Sequence, residues 1–121
     1  MRELLSTLKE RNKHVDNGKI TVYISGAITN DPDYERKFEK TATWLNIFGV
    51  EAVSPVTKTM LSYKTYIDRA MSLLRDCDMI CMMPGWERSE GAKLEHHYAG
   101  VVGMPEFTIP DNVWREINGQ G

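Results

Sequence analysis

The sequence predicts an α/β domain in which one parallel β-sheet carries helices on both faces. The first observation is the order of the segments, because strand-like and helical patterns alternate along the chain, as parallel connections require. The second is the segment of residues 78–83, DMICMM, which is almost wholly apolar, as expected of a strand that helices cover on both sides. In such a fold the ligand crevice lies beyond the carboxyl ends of the strands, so we expect the functional site there.

Four segments have the pattern of strands. After a turn signal at Asn17 and Gly18, residues 19–25, KITVYIS, alternate apolar and other side chains and are rich in β-branched residues, which favours a strand. A second short apolar segment ends before Pro55, because proline interrupts a strand. The predicted strands are residues 19–25, 50–53, 78–83 and 106–109.

Five segments have the pattern of helices. A stripe of leucines among charged residues near the N-terminus indicates the first. Asp31 and Pro32 supply an N-cap and a first helical residue for the second, and Gly49 ends it. Ser89 is a natural N-cap for the fourth. The predicted helices are residues 1–13, 31–48, 63–76, 89–103 and 111–118.

Composition limits the classes of partner. The chain has 121 residues, a net charge of −2 and 41% hydrophobic residues, which is typical of one globular domain. The charge argues against a nucleic-acid polymer or an anionic membrane as partner, and no apolar run is long enough to span a bilayer. Residues 1–14 carry charges throughout, unlike a secretory signal, so we expect a cytoplasmic protein. We divide it into an N-terminal helical extension, residues 1–18, and an α/β domain, residues 19–121.

The two cysteines, Cys77 and Cys81, lie four residues apart in or next to a predicted strand. That separation spans roughly 13 Å in a strand, which is too far for a disulfide. A metal site is not expected, because no second pair of cysteines or histidines accompanies them at ligand spacing. We therefore predict reduced core thiols and no metal.

One carboxylate lies on the half of a predicted helix that should turn inward. On a helical wheel of residues 89–103, Glu95 falls between Ala92 and Ala99. The rest of this apolar half comprises Gly91, Leu94, Tyr98, Val101 and Val102. A buried carboxylate is costly unless a partner satisfies it. Either a backbone amide or an arginine such as Arg69 or Arg88 bonds to Glu95, or Glu95 acts as nucleophile or base toward a bound small molecule.

Three motifs carry a resemblance to a known group of proteins. They are YISGAI (residues 23–28), a long run ending in LLRDCDMICMMPGWERSEGAKLEHHYA (73–99), and GMP (103–105). The chain resembles the nucleoside 2-deoxyribosyltransferase superfamily. More narrowly, it resembles the short, often phage- or prophage-encoded proteins grouped as domain of unknown function 4406.

The resemblance implies a single doubly wound α/β sheet of flavodoxin-like or Rossmann-like type and chemistry at the N-glycosidic bond. It implies that Glu95 is the nucleophile that attacks the anomeric carbon, that Ser89 contacts the sugar or its phosphate, and that Tyr23 and Gly26 line the sugar site. An aromatic wall for the base is expected at Trp86 or Tyr23, and the alternative for Trp86 is a cover over the core. The expected substrate-binding residues are Tyr23, Gly26, Ile28, Trp86, Ser89 and Gly91.

The chain departs from the pattern of this superfamily at two informative positions. Ala70 stands where active members carry an aspartate, and Asp68 lies roughly 160° away from it on a helical wheel. Thr29 stands where nucleotide-hydrolysing members have an arginine that binds phosphate. These changes bear on catalytic efficiency and phosphate recognition, while the position of the nucleophile is kept.

We therefore expect hydrolysis or transfer at the N-glycosidic bond of a (deoxy)nucleoside or nucleoside monophosphate, with no metal or organic cofactor. The alternatives are a catalytically degenerate module that binds or senses a nucleotide, and a structural dimerisation domain. The resemblance also implies a homodimer or larger homo-oligomer, for which Trp44 and Trp114 are candidate exposed contacts. The preferred base, and the choice of water or a second base as acceptor, stay open.

Overall fold

The computed structural model describes residues 1–11 and 19–119 of the chain. The predicted turn at Asn17 and Gly18, and the end of the predicted first helix, lie outside these residues. The helices are α1 (Arg2–Arg11), α2 (Tyr34–Asn46), α3 (Tyr63–Arg75), α4 (Glu90–Val102) and α5 (Asp111–Ile117). The strands are β1 (Thr21–Ser25), β2 (Glu51–Val53), β3 (Met79–Met82) and β4 (Glu106–Thr108). A short 3-10 helix, Trp86–Arg88, precedes α4.

The four strands form one parallel sheet in the order β2-β1-β3-β4. Val22 of β1 pairs with Ala52 on one side and with Met79 on the other. The strand order reverses between β1 and β3, and in open α/β sheets ligands bind at this switch point. The predicted parallel α/β sheet is confirmed, and its arrangement is consistent with a doubly wound, Rossmann-like fold.

Helices cover both faces of the sheet, as the apolar sequence of β3 predicts. On one face Val22 and Ile24 pack with Leu5 of α1, Phe38 of α2 and Ile117 of α5. Side chains alternate between the faces along a strand, so Tyr23 and its neighbours in β3 point the other way. The second face holds Tyr23, Leu74, Ile80, Met82, Ala92 and Ala99, contributed by the sheet, α3 and α4.

Helix α2 begins at Tyr34, two residues after Pro32, which the sequence predicts as its first residue. The Asp31 carboxylate accepts a hydrogen bond from the Asp33 amide at 2.9 Å, and the Asp31 carbonyl accepts one from Tyr34 at 3.2 Å. Aspartate side chains stabilise such turns in competition with a helix. The helix therefore starts at Tyr34. By contrast, Ser89 caps α4 as predicted, since its hydroxyl accepts a hydrogen bond from the Ala92 amide at 3.1 Å.

The inward face of α4 is narrower than the helical wheel predicts. Only three of its side chains are buried, namely Ala92, Glu95 and Ala99. Three apolar residues that the wheel places on the inner half are exposed, namely Leu94, Val101 and Val102. The sheet and α3 cover only part of the helix, which leaves these side chains in solvent.

The expectation that Trp44 and Trp114 are exposed is wrong. Both are half-buried against the core. The Trp44 ring lies 6.1 Å from the ring of Phe107 and 5.0 Å from that of Phe48. Trp44 therefore packs at the edge of the sheet that ends with β4.

Candidate active site

The carboxylate of Glu95 lies beside the carboxyl end of β1 and is only 6% exposed. The Tyr23 hydroxyl donates a hydrogen bond to Oε2 at 2.5 Å, and the Ser25 hydroxyl donates one to Oε1 at 2.6 Å. Tyr23 and Ser25 are two residues apart in a strand, so both point to the side on which α4 lies. Each carboxylate oxygen therefore has one donor, and its orientation is fixed by the sheet.

These partners differ from the arginine or backbone amide that we considered from the sequence. Arg69 instead donates a hydrogen bond to the carbonyl of Pro55 at 2.7 Å. Within the described residues, the hydrogen bonds to the Glu95 carboxylate come from Tyr23 and Ser25. Two neutral hydroxyls orient the carboxylate but bring no positive charge to it, unlike the cation of a salt bridge.

Burial and hydrogen bonding act on this carboxyl group in opposite directions. Burial raises the pKa of Glu95, while the hydrogen bonds from Ser25 and Tyr23 lower it. Burial, together with the charge of Glu95, raises the pKa of the Tyr23 hydroxyl. Tyr23 therefore stays protonated and keeps donating to the carboxylate.

A narrow cleft opens above Glu95 at the carboxyl edge of the sheet. Its volume is about 30 Å³, room for about two water molecules. The cleft is lined by Gly26, Ile28, Thr29, Pro55, Tyr63, Tyr66, Ile67, Ser89, Gly91, Ala92 and Glu95. The lining combines the loops after β1, β2 and β3 with residues of α3 and α4, as expected for a ligand crevice in an open α/β sheet.

Two wider cavities adjoin the cleft. The first, which we call the polar cavity, has a volume of about 590 Å³ and is lined by Ala27, Thr29, Asn30, Asp31, Lys37, Tyr63, Arg88, Ser89, Glu90 and Gly91. The second, the tyrosine cavity, has about 540 Å³ and is lined by Ile28, Thr29, Tyr34, Glu35, Val56, Thr57, Lys58, Thr59, Met60, Leu61, Tyr63 and Tyr66. Thr29 and Tyr63 line all three spaces, so they separate the cleft from its neighbours.

The structure brings five of the seven predicted site residues to the cleft, namely Gly26, Ile28, Ser89, Gly91 and Glu95. Tyr23 lies behind the carboxylate and is fully buried, so it orients Glu95 and does not form a wall for a ligand. Trp86 does not line the cleft or either wider cavity.

Trp86 instead covers the outside of α4. Its ring packs on His96 with 4.4 Å between the ring centroids. His96 in turn places Nδ1 2.7 Å from a carboxylate oxygen of Glu106. These contacts fit the covering role that the sequence left open for Trp86 beside that of a base platform.

Gly26 allows the chain to pass closely over β3. A Cβ atom at Gly26 would lie 2.3 Å from Cε and 3.2 Å from Cβ of Met83. Met83 is buried and its sulfur accepts a hydrogen bond from the Thr41 hydroxyl at 3.4 Å. A side chain at Gly26 would therefore have to displace a packed residue at the floor of the site.

Sequence reasoning missed Ser25 and the tyrosines of α3. Ser25 shares the face of Tyr23 by the two-residue period of a strand, and this period was a usable signal. Tyr63 and Tyr66 are three residues apart at the start of α3, so they project to the same side of the helix. Their position at the cleft follows from the folded structure, in which α3 lies beside the carboxyl ends of β1, β2 and β3.

Ala70 is fully buried one turn after Tyr66 in α3. Asp68 is on the outer side of the helix, as predicted, and pairs with Lys64 at 2.8 Å. Glu95 is the one carboxylate that lines the cleft within the described part of the chain. A second acid therefore does not face the cleft from α3.

The described part of the chain has neither a cluster of metal ligands nor a membrane-spanning helix. Across 1–11 and 19–119, histidine, cysteine, aspartate and glutamate side chains form no group of three with the geometry of a metal site. No helix within the same ranges has the length and apolar character needed to cross a bilayer. Cys77 and Cys81 are both free thiols, and burial raises the pKa of Cys81 to about 12.

The fold and the cleft define a doubly wound α/β protein with a buried, hydroxyl-bound carboxylate at the switch point of its sheet. Residues 20–107, more than half of the chain, match the family described as domain of unknown function (DUF4406). The chain belongs to this family. A search of curated proteins finds no match to it.

Proposed function

We propose that this protein cleaves or transfers the N-glycosidic bond of a (deoxy)nucleoside or nucleoside monophosphate, with Glu95 as the nucleophile. The observation that carries the proposal is the carboxylate of Glu95, held by Tyr23 and Ser25 at the bottom of the cleft. The resemblance of the motifs around Tyr23, Ser89 and Glu95 to the nucleoside 2-deoxyribosyltransferase superfamily supports the same chemistry.

The reaction needs a carboxylate that is oriented but not neutralised. As the C–N bond breaks, its electron pair goes to the base, and the sugar develops oxocarbenium character that an adjacent carboxylate stabilises or captures. A Glu95 oxygen then forms a bond to the anomeric carbon, and water or a second base displaces it. Each Glu95 oxygen accepts one hydroxyl hydrogen bond, which leaves a lone pair for this attack.

Substrate binding requires the cleft to widen. A sugar does not fit in about 30 Å³, whereas the cavities on either side have ample room. Tyr63 borders all three spaces and is 61% exposed, so solvent and not packed protein surrounds most of its side chain. We propose that displacement of the Tyr63 ring joins the cleft to the wider cavities when a substrate binds.

The test is release of free base from deoxynucleosides, ribonucleosides and their monophosphates, followed by chromatography. Glu95→Gln should abolish release, since an amide cannot form the glycosyl intermediate. Glu116→Gln is the matched control, because Glu116 is exposed on α5 at the opposite face of the sheet. Equal base release by Glu95→Gln and the unchanged chain would refute the proposal.

A second candidate is a module that binds a nucleotide without turnover. It is favoured by Ala70, which is buried where active members of the resembled superfamily carry an aspartate, and by the single carboxylate in the cleft. Calorimetry separates the two candidates. Binding of a nucleotide by the unchanged chain, with no base released after prolonged incubation, would select the binding module.

We also propose that the chain forms a homodimer or larger homo-oligomer. The three exposed apolar residues of α4, Leu94, Val101 and Val102, support a contact on this helix. Light scattering after size exclusion measures the mass of the particle, and a monomer at all concentrations would contradict the proposal. Val101→Lys should weaken the contact if α4 forms it.

A further inference from the structure

We propose that the tyrosine cavity holds the nucleobase of the substrate and that Tyr34, Tyr63 and Tyr66 select an aromatic leaving group. The inference rests on the function proposed above for Glu95. It assigns to the base a wall that neither Trp86 nor Tyr23 supplies, because one lies outside the three cavities and the other is fully buried.

The direction of attack places the base away from Glu95. A nucleophile and its leaving group lie on opposite sides of the carbon at which they exchange, so the base points away from the carboxylate. The cleft beside Glu95 has about 30 Å³ and cannot hold a purine or pyrimidine ring. The base must therefore occupy one of the two wider cavities that the cleft adjoins.

The chemistry of the two cavities decides between them. The polar cavity carries charged groups, including an ion pair of 2.7 Å between Lys37 and Asp31. The hydrogen bond from Lys37 lowers the pKa of Asp31, so the Asp31 carboxylate stays ionised, and this polar lining suits sugar hydroxyls or a phosphate. The tyrosine cavity also has two charged residues, Glu35 and Lys58, but it adds three aromatic rings and several apolar side chains, and aromatic side chains stack on bases.

The exposure of two apolar side chains at this cavity points to a ligand that covers them. Met60 is 97% exposed and Tyr63 is 61% exposed, and both line the tyrosine cavity. A flat ring bound there would remove apolar surface from water on both sides. Tyr66 lines both the cleft and the tyrosine cavity, so a base against its ring would keep the sugar above Glu95.

The experiment measures binding of free bases and needs no turnover. Adenine, hypoxanthine, cytosine and thymine are titrated into the unchanged chain and its variants by calorimetry. Tyr34→Leu keeps an apolar side chain in a position that lines the tyrosine cavity alone among the three spaces. We expect Tyr34→Leu and Tyr63→Ala each to weaken the binding of the preferred base about tenfold.

Two controls separate stacking from damage to the fold. Tyr34→Phe keeps the ring and should bind the base within about twofold of the unchanged chain, given that stacking needs only the π-face. Ile47→Ala removes an exposed apolar side chain elsewhere on the surface and should change nothing. The unfolding temperature of each variant is recorded alongside.

The outcomes for this inference and for the proposed function are distinct. The inference is overturned if no free base binds the unchanged chain at millimolar concentration, or if Tyr34→Leu and Tyr63→Ala both bind as tightly as that chain. The proposed function fails if Glu95→Gln still releases base. Loss of base binding in both tyrosine variants, with retention in Tyr34→Phe, supports a base site in the tyrosine cavity, and this result does not depend on the outcome at Glu95.

Discussion

Replacing Tyr23 by phenylalanine removes one of the two hydroxyls that hold the nucleophile. The Tyr23 ring is fully buried, and its hydroxyl donates to a Glu95 carboxylate that is itself buried. A hydrogen bond to a charged group is worth about 1.5–3 kcal/mol, and phenylalanine fills the space of the ring. We therefore expect the free energy of unfolding to fall by about 2 kcal/mol, a drop of roughly 8 °C in Tm for a domain of this size.

Urea unfolding followed by tryptophan fluorescence measures this change, since the chain has three tryptophans. The midpoint should shift without a change of slope. The decisive control is the same substitution in the Glu95→Gln background, where a neutral acceptor leaves a cost of about 1 kcal/mol. The two substitutions should then be coupled by about 1 kcal/mol.

The same substitution should change the pH dependence of stability. The hydroxyl of Tyr23 lowers the pKa of Glu95, so its loss raises that pKa further. The cost of Tyr23→Phe should be largest where Glu95 is ionised and should shrink as the pH falls. The contrary outcome is that Tyr23→Phe lowers the free energy of unfolding by less than about 0.5 kcal/mol at neutral pH, or by the same amount with and without Glu95→Gln. Either result would show that this hydrogen bond does not hold the carboxylate in solution.

Three further perturbations test the site. Burial raises the pKa of Glu95 above its ordinary value of 4.5, so the stability that this group contributes is complete below about pH 4.5 and is lost as the pH rises through the raised pKa. In urea unfolding from pH 4 to 8, Glu95→Gln should therefore gain stability over the unchanged chain as pH rises, and parallel curves of stability against pH would contradict this. Gly26→Ala should lower the free energy of unfolding by about 1–3 kcal/mol through its contact with Met83. In a Met83→Ala background the same substitution should cost less, and an equal cost in both backgrounds would show that the two side chains do not clash. Ser89→Ala should lower the free energy of unfolding by about 1 kcal/mol because it uncaps α4, and Ser62→Ala should do the same at the cap of α3. Only Ser89→Ala should also weaken substrate binding, and equal binding by the two variants would show that Ser89 does not contact the substrate.

Local sequence patterns predicted the strands and helices well. The alternation in residues 19–25, the apolar segment of β3 and the cap at Ser89 each depend on neighbours within a few residues. Glu95 was visible for the same reason, because a helical wheel needs only the spacing of side chains on one helix. The late start of α2 was missed, since an Asx turn at Asp31 competes with the helix through side-chain hydrogen bonds.

The sequence by itself determined the order of strands and helices, the family, and the inward position of Glu95, because these follow from short-range periodicity and from motifs that are contiguous in the chain. Only the tertiary structure decided what Glu95 touches and what faces it. The hydroxyls of Tyr23 and Ser25 come from a strand 70 or more residues away, and the tyrosine cavity combines the starts of α2 and α3 with the loop between β2 and α3. Contacts between segments this distant depend on how strands pair and how helices pack on the sheet, and the spacing of residues along one segment does not encode them.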